Sequence, residues 1–328
     1  MKSRNKGNII IAKAILGRLG NQMFQYAYCK AIKETVGGSL AFSFEKVYQQ
    51  KEADGNTDGF EDSLQYFNVD DYELFNGDIH SYFCNKLQLF LYRSLHYIKR
   101  RWFEKYSWQL VFCRIGLYYY NDKKNNFQKD IKYLRKKALF PKCVFCYDFL
   151  EEPERFNSIR PILLNDFTPK FAPLERNKKL YEIINSNNSV CVSIRRGDYI
   201  NTQYSDSFYI CDENYFRLAL NKIKQLVNNP VIIFFSDDIE WVKKNINTDI
   251  LSYYESGNDP VWEKLRLMYS CKHFIISNST FSWWAQYLSR NTNKIVISPD
   301  HWTNDHTKNA KHLISNDFIT IPCGKPSK

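Results

Sequence analysis

A chain of 328 residues is large for one core and is expected to divide into two domains. Its 44% hydrophobic and 25% charged content is that of an ordinary soluble globular protein, and no run of about twenty apolar residues exists to cross a bilayer. A net charge of +11, from 46 basic and 35 acidic residues, points to anionic partners: nucleic acid, phosphate-bearing substrates or an acidic membrane surface. Aromatics at 16% suit sugar and base sites as well as cores. Nine cysteines cannot all pair, and most sit in apolar runs, so buried free thiols are expected.

From the amino terminus, Asn8 to Leu16 is apolar but short, contains Lys13 and lacks a cleavage site. It is read as a buried strand, Ile9 to Ile15, not a signal peptide, and the protein is expected in the cytoplasm. Gly17-Arg-Leu-Gly20-Asn21 then makes a glycine-bearing turn, with Asn21 as N-cap of a helix from Gln22 to Thr35. Strand, turn and helix N-terminus form an anion-binding corner or a plain tight connection. Asp54 to Gly59 copies half of a calcium loop, but the twelfth position is Gln65 and no amphipathic helix precedes it, so it is read as a polar turn.

Lys86 to Tyr120 mixes Leu87, Phe90, Trp102, Trp108 and three consecutive tyrosines with Arg93, Lys99, Arg100, Arg101 and Lys105. It reads as a helical segment whose basic face is solvated or lies on an anionic membrane. Cys143 and Cys146 have the spacing of half a zinc site. No second pair follows, and alternation from Cys143 to Phe149 reads as a strand. The proline-punctuated stretch Asp166 to Pro173 places a domain boundary, giving domains 1–173 and 174–328.

Beyond it, strands and helices alternate. Helix Leu174–Asn185 leads to strand Ser189–Ile194, helix Glu213–Asn228 behind Asp212, and strand Val231–Phe235. Helix Ile239–Asn245 and strand Ile250–Tyr254 follow, then a helix capped by Asp259 with Pro260 at its first position. Strand His273–Ile276, helix Ser282–Ser289 and a last strand, Lys294–Ser298, complete the series. Such alternation implies an α/β fold with a parallel sheet wound on both faces.

In a parallel sheet, ligands bind beyond the carboxyl ends of the strands. Arg195-Arg196-Gly197 ends one strand, Ser236-Asp237-Asp238 the next, and Ser277 to Phe281 a third at a helix start. Arginines and unpaired helix N–H groups suit phosphates, while a carboxylate suits the donor edge of guanine or ribose hydroxyls. Together they describe a nucleotide-diphosphate site. A P-loop, a dinucleotide fingerprint, a nucleophile elbow and an Asp-x-Asp pair are all absent; His273, His301, His306 and His312 lack ligand spacing, except that His306 and His312 lie near His301 in a polar tail, where they read as solvated or capping residues. No metal or cofactor is therefore expected, and the charge of a departing diphosphate falls to arginine and helix N-termini.

Four motifs occur in order: Gly17-Arg-Leu-Gly-Asn-Gln-Met-Phe-Gln-Tyr-Ala27, Ser193-Ile-Arg-Arg-Gly-Asp-Tyr199, Phe235-Ser-Asp-Asp-Ile-Glu-Trp241 and Ser277-Asn-Ser-Thr-Phe-Ser-Trp-Trp-Ala285. They resemble those of the bacterial α-1,2-fucosyltransferases, glycosyltransferase family 11. Phe42 to about Asn187 offers little to compare. The resemblance implies a GT-B-like pair of Rossmann-type domains facing a cleft, GDP-fucose as donor, and inverting, metal-independent transfer to the 2-hydroxyl of a terminal galactose. It places Arg195 on the β-phosphate, with Arg196 supporting it or structuring the loop. Ser279, Thr280 and Phe281 would line the diphosphate, and Ser236, Asp237 and Asp238 the guanosine side. Gly20 and Asn21 would close the cleft from the amino-terminal domain, near the fucose.

One position departs from the family: relatives commonly carry His-x-Arg-Arg, and here the first residue is Ser193. That puts the histidine's nucleotide contact in doubt and removes a candidate base. Inversion benefits from a general base. The choices are Asp198, which could instead pair with Arg196, or the departing GDP itself. The acceptor expected is a galactose-ended oligosaccharide or lipid-linked glycan, with peripheral contact to the inner membrane face. A related transferase with another linkage or acceptor is the near alternative. A basic nucleic-acid-binding protein is the remote one, disfavoured because the basic residues concentrate away from the strand-end motifs.

Overall fold

The computed structural model describes residues 9–53, 59–102, 112–120, 140–200, 205–304 and 310–323, with the backbone alone at 96, 98–102 and 198. The chain forms two compact units: Met1–Gln65 with Val69–Asp166, and Tyr66–Asn68 with Phe167–Lys328. The division at Asp166/Phe167 precedes the boundary expected at 173. The proline-bearing stretch belongs to the second unit because Phe67 bridges Pro169, and Asn68 N–H and Lys170 N–H donate to Thr168 O and Tyr66 O.

The amino-terminal unit is a parallel five-stranded sheet in the order β3-β2-β1-β5-β4. Its strands are β1 (Ile9–Ala14), β2 (Ser39–Ser43), β3 (Tyr72–Leu74), β4 (Leu117–Tyr120) and β5 (Lys142–Cys146). β1 is central and buried on both faces, which is why it reads as a continuous apolar run. Helix α1 (Leu19–Val36) packs on it and ends at Gly37, whose φ of 75° favours glycine and whose N–H donates to Lys33 O. Helix α2 (Lys86–Trp102) turns Leu89, Tyr92 and Leu95 toward the sheet cluster of Ile10, Ala12, Cys143 and Phe145.

Two expectations change in this unit, and the strand expected at Cys143 holds. The helix starts at Leu19, so Asn21 lies in its first turn, and Arg18 is the cap residue without a side-chain bond. The tyrosines Tyr118, Tyr119 and Tyr120 lie in edge strand β4, not in a helix, and β-propensity explains that placement. Cys143 and Cys146 both sit in β5, where residues three apart face opposite sides and cannot share one ion. The 54–58 part of the polar turn, and Lys105 and Trp108, lie outside the described residues.

The carboxyl-terminal unit is a parallel six-stranded sheet in the order β11-β10-β9-β6-β7-β8. The strands are β6 (Asn188–Ile194), β7 (Pro230–Ser236), β8 (Ser252–Tyr254), β9 (His273–Ile275), β10 (Val296–Pro299) and β11 (Ile319–Ile321). α3 (Lys178–Ser186) leads into β6, and α4 (Glu213–Leu226), α5 (Ile239–Asn245), α6 (Val261–Ser270) and α7 (Thr280–Leu288) run between the strands. α4 begins at Asp212, whose carboxylate accepts from Tyr215 N–H, and buries Phe216, Ala219 and Ile223 against Val190, Val192 and Ile232. Trp284 of α7 is fully buried against Phe167 at 5.0 Å, and its truncation to alanine would cost about 3–5 kcal/mol.

Two details differ from expectation here. Asp259 does not cap α6; it accepts hydrogen bonds from Arg176 (2.5 Å) and Asn177 (2.9 Å), and Pro260 stands at the cap. An ion pair recruited from far along the chain has overridden the local capping preference. β11 was not expected, because Ile-Thr-Ile is too short to show periodicity and is a strand only by pairing with β10. Two Rossmann-type parallel-sheet units are the components of the expected GT-B-like α/β fold.

Candidate functional site

The strand order brings the second unit's polar motifs together. β9, β6 and β7 are immediate neighbours and run parallel, so their carboxyl ends share one edge. β6 delivers Arg195 and Arg196, β7 delivers Ser236, Asp237 and Asp238, and β9 leads through Ser277 and Asn278 into α7.

The two arginines are held differently. Arg195 Nη1 donates to Asp237 Oδ2 at 2.5 Å, and its guanidinium lies 5.7 Å from the Tyr199 ring centroid. Arg196 Nε donates to Asp238 Oδ2 at 3.1 Å, and its guanidinium sits 3.5 Å above Trp241. The Arg196 backbone N–H donates to Asp237 Oδ1 at 2.9 Å. Asp238 also caps α5, accepting from Trp241 N–H, while its own N–H donates to Ser236 Oγ. The aspartates at the end of β7, assigned to the guanosine side, are thus the partners of the arginines in this structure. Each arginine is thus paired with its own aspartate across the β6 and β7 strand ends.

At the end of β9 the chain is rigidly built. Asn278 Nδ2 donates to Phe208 O and Trp302 O, and Tyr199 OH donates to Asn278 O at 3.1 Å. Ser279 is the N-cap residue of α7, with Ser279, Thr280 and Phe281 partly exposed. Helix N-termini carry partial positive charge and outward N–H groups, so this turn presents donors to an anion. Ser193 does not face solvent: its hydroxyl is buried and lies 2.6 Å from Ser282 Oγ, which is 3.2 Å from Ser277 Oγ. It therefore braces β6 against α7. Asp198 falls in the short turn Gly197–Tyr199, and its side chain lies outside the described residues.

Gly20 and Asn21 belong to the first unit, at the start of α1. Gly17 there has φ +71°, and a Cβ on it would meet Asn21 Nδ2 at 2.5 Å, so the turn requires glycine twice over. Gln22 and Gln25 tie the turn down. Gln22 Nε2 donates to Gly17 O and Glu61 O, and Gln25 exchanges hydrogen bonds with both Leu16 N–H and Leu16 O. These two glutamines, with Trp241 and Asn278, lie within the four motifs, but the sequence alone assigns them no role. The spacing Gln22 to Gln25 put both on one side of a helix next to the glycine turn, and that was the available signal.

Residues 113–320 match the family profile described as glycosyl transferase family 11. An alpha-1,2-colitosyltransferase of Escherichia coli is 31% identical over 306 residues, covering 90% of this chain and 92% of that protein. The galactoside alpha-(1,2)-fucosyltransferase 2 of Mus musculus is 28% identical over 144 residues, 41% of each chain. Among solved structures, the NodZ alpha-1,6-fucosyltransferase soaked with GDP-fucose aligns over 89% of this chain and 95% of that chain, with 12% identity and a TM-score of 0.48.

Proposed function

Because the chain belongs to glycosyl transferase family 11, we propose that it transfers fucose from GDP-fucose to the 2-hydroxyl of a terminal galactose, with inversion and without a metal. The observation that carries this reading is the shared edge of β9, β6 and β7, where two arginines stand beside the start of α7. The relatives named for alpha-1,2 transfer support the linkage.

In this reading Arg195 meets the charge that develops on the departing diphosphate, together with N–H groups at the start of α7. Arg196, stacked on Trp241 and bonded to Asp238, supports the loop. Thr280 and Phe281 line the diphosphate, and Ser236 with Asp238 lies on the nucleoside side. Asp198 serves as the base that takes the acceptor's proton. The roles of Gly20 and Asn21 rest on the family resemblance alone.

The acceptor is a galactose-ended glycan, free or lipid-linked, met at the inner face of the membrane. No described helix is long and apolar enough to cross a bilayer. Peripheral contact is supported by α2, whose outer positions Leu87, Phe90 and Tyr97 are exposed beside Lys86 and Arg93.

The test is direct. The protein is incubated with GDP-fucose, EDTA and lactose or N-acetyllactosamine, and the product linkage is read by NMR. A 2-linked fucoside formed in EDTA is the expected result. No GDP release across a panel of galactosides would sink the reading. The colitosyltransferase relative favours one second reading, a donor carrying colitose, which a parallel reaction with that donor distinguishes.

A further inference from the structure

We propose that Asp237 is a positioning residue that aims Arg195, and that residue 197 is glycine to leave room for the Asp237 carboxylate. The inference rests on the reading of Arg195 as the residue that meets the departing diphosphate. A long arginine at the end of a strand samples many rotamers, and fixing them during the reaction would cost entropy. Asp237 removes that freedom beforehand. Its two oxygens hold the same loop from two sides: Oδ2 accepts from Arg195 Nη1 at 2.5 Å and Oδ1 accepts from the Arg196 backbone N–H at 2.9 Å. The carboxylate is therefore tied to the backbone that carries the arginine, not to a separate mobile element.

Gly197 supplies the independent observation. A Cβ there would lie 2.6 Å from Asp237 Oδ2 and 3.5 Å from Arg195 Cζ. The contact is to the carboxylate that holds Arg195, and a methyl group would push the two apart. Asp238 plays a different part: it caps α5 and holds Arg196, which is already pinned by Trp241.

A carboxylate beside a diphosphate site weakens attraction for the anion, so Asp237 opposes binding while it orders the arginine. This predicts a split that a merely structural residue would not produce. In Asp237→Asn, kcat for GDP-fucose falls about 100-fold, the scale of a misplaced catalytic group. GDP binding, by calorimetry, stays equal to wild type or tightens, and the melting temperature is retained. Gly197→Ala reproduces the loss in kcat, and the double variant Gly197→Ala/Asp237→Ala is no slower than Asp237→Ala, because the methyl group has nothing left to displace.

Wild-type kcat in Asp237→Asn overturns the proposal. So does loss of GDP binding in parallel with kcat, which would make Asp237 a direct nucleotide contact, and so does multiplication of the two losses in the double variant. Arg195→Ala keeps the two levels apart. If Arg195→Ala turns over normally, the donor-site reading itself fails. If it is inactive while Asp237→Asn retains wild-type kcat, the clamp alone fails.

Discussion

Each of the two sheets carries a basic side chain near the carboxyl end of an interior strand, and the two are treated in opposite ways. In the first unit Lys13 of β1 is 2% exposed, and its ammonium donates to Ala14 O at 2.5 Å. Burial drives its pKa down to about 8, only partly offset by Cys29 and Cys146. In the second unit Arg195 keeps a quarter of its side chain exposed and is matched by Asp237. One site holds a buried cation at a cost in stability, and the other keeps a permanent charge partly exposed and restrains its direction. Only the second arrangement suits an anionic substrate that comes and goes.

The comparison breaks first, and most visibly, at the arginine. Arg195→Ala should lower kcat about 1,000-fold, the upper scale for removing one donor to developing negative charge, with an unchanged circular dichroism spectrum. Retained turnover would show that the exposed cation is ornamental. Lys13→Met should do the reverse: activity stays, and stability at pH 7 rises by about 2 kcal/mol, measured by urea unfolding, because a buried charge is exchanged for an isosteric apolar chain. The pH dependence follows from the sign of the shift. Below about pH 8 Lys13 is charged in both states and its burial cost is fully present. Between about pH 8 and the unfolded value of 10.5 the folded state releases its proton first, so the wild type gains on the variant and the difference closes. A difference that widens with pH would contradict the assignment.

The smallest expected effect concerns charge at the surface. Leu87→Asp/Phe90→Asp on the exposed side of α2 should reduce cosedimentation with vesicles containing anionic phosphatidylglycerol about tenfold, while turnover on lactose is unchanged. Equal binding of both proteins would mean that this helix face meets something other than lipid.

The carboxyl-terminal sheet was largely legible from sequence because its strands are short apolar runs between polar turns, and their parallel order follows from alternation with helices. The convergence of Arg195, Asp237 and Ser279 was legible for the same reason. What escaped was pairing over long sequence separations. The Asp259 carboxylate looks like a helix cap until Arg176 and Asn177 claim it, and the bond from Arg195 to Asp237 joins residues 42 apart. Ser193 raised a question as a missing histidine, and its answer lay in Ser282, 89 residues away. The helix that Asn21 was expected to cap starts three residues earlier, a shift that capping preferences alone do not resolve.

The three residues Tyr66, Phe67 and Asn68 bear on how the protein can be dissected. Although they precede the bulk of the first unit's sequence, they belong to the second, where Phe67 is fully buried edge-on to Phe167 at 6.3 Å. A proteolytic or recombinant fragment cut cleanly at residue 167 would leave a phenyl-sized void beside Phe167, at a cost of about 3–5 kcal/mol. The polypeptide is thus interleaved, and its halves are not separable by a single cut. A minimal carboxyl-terminal fragment would need Tyr66-Phe67-Asn68 supplied in trans or spliced ahead of Phe167.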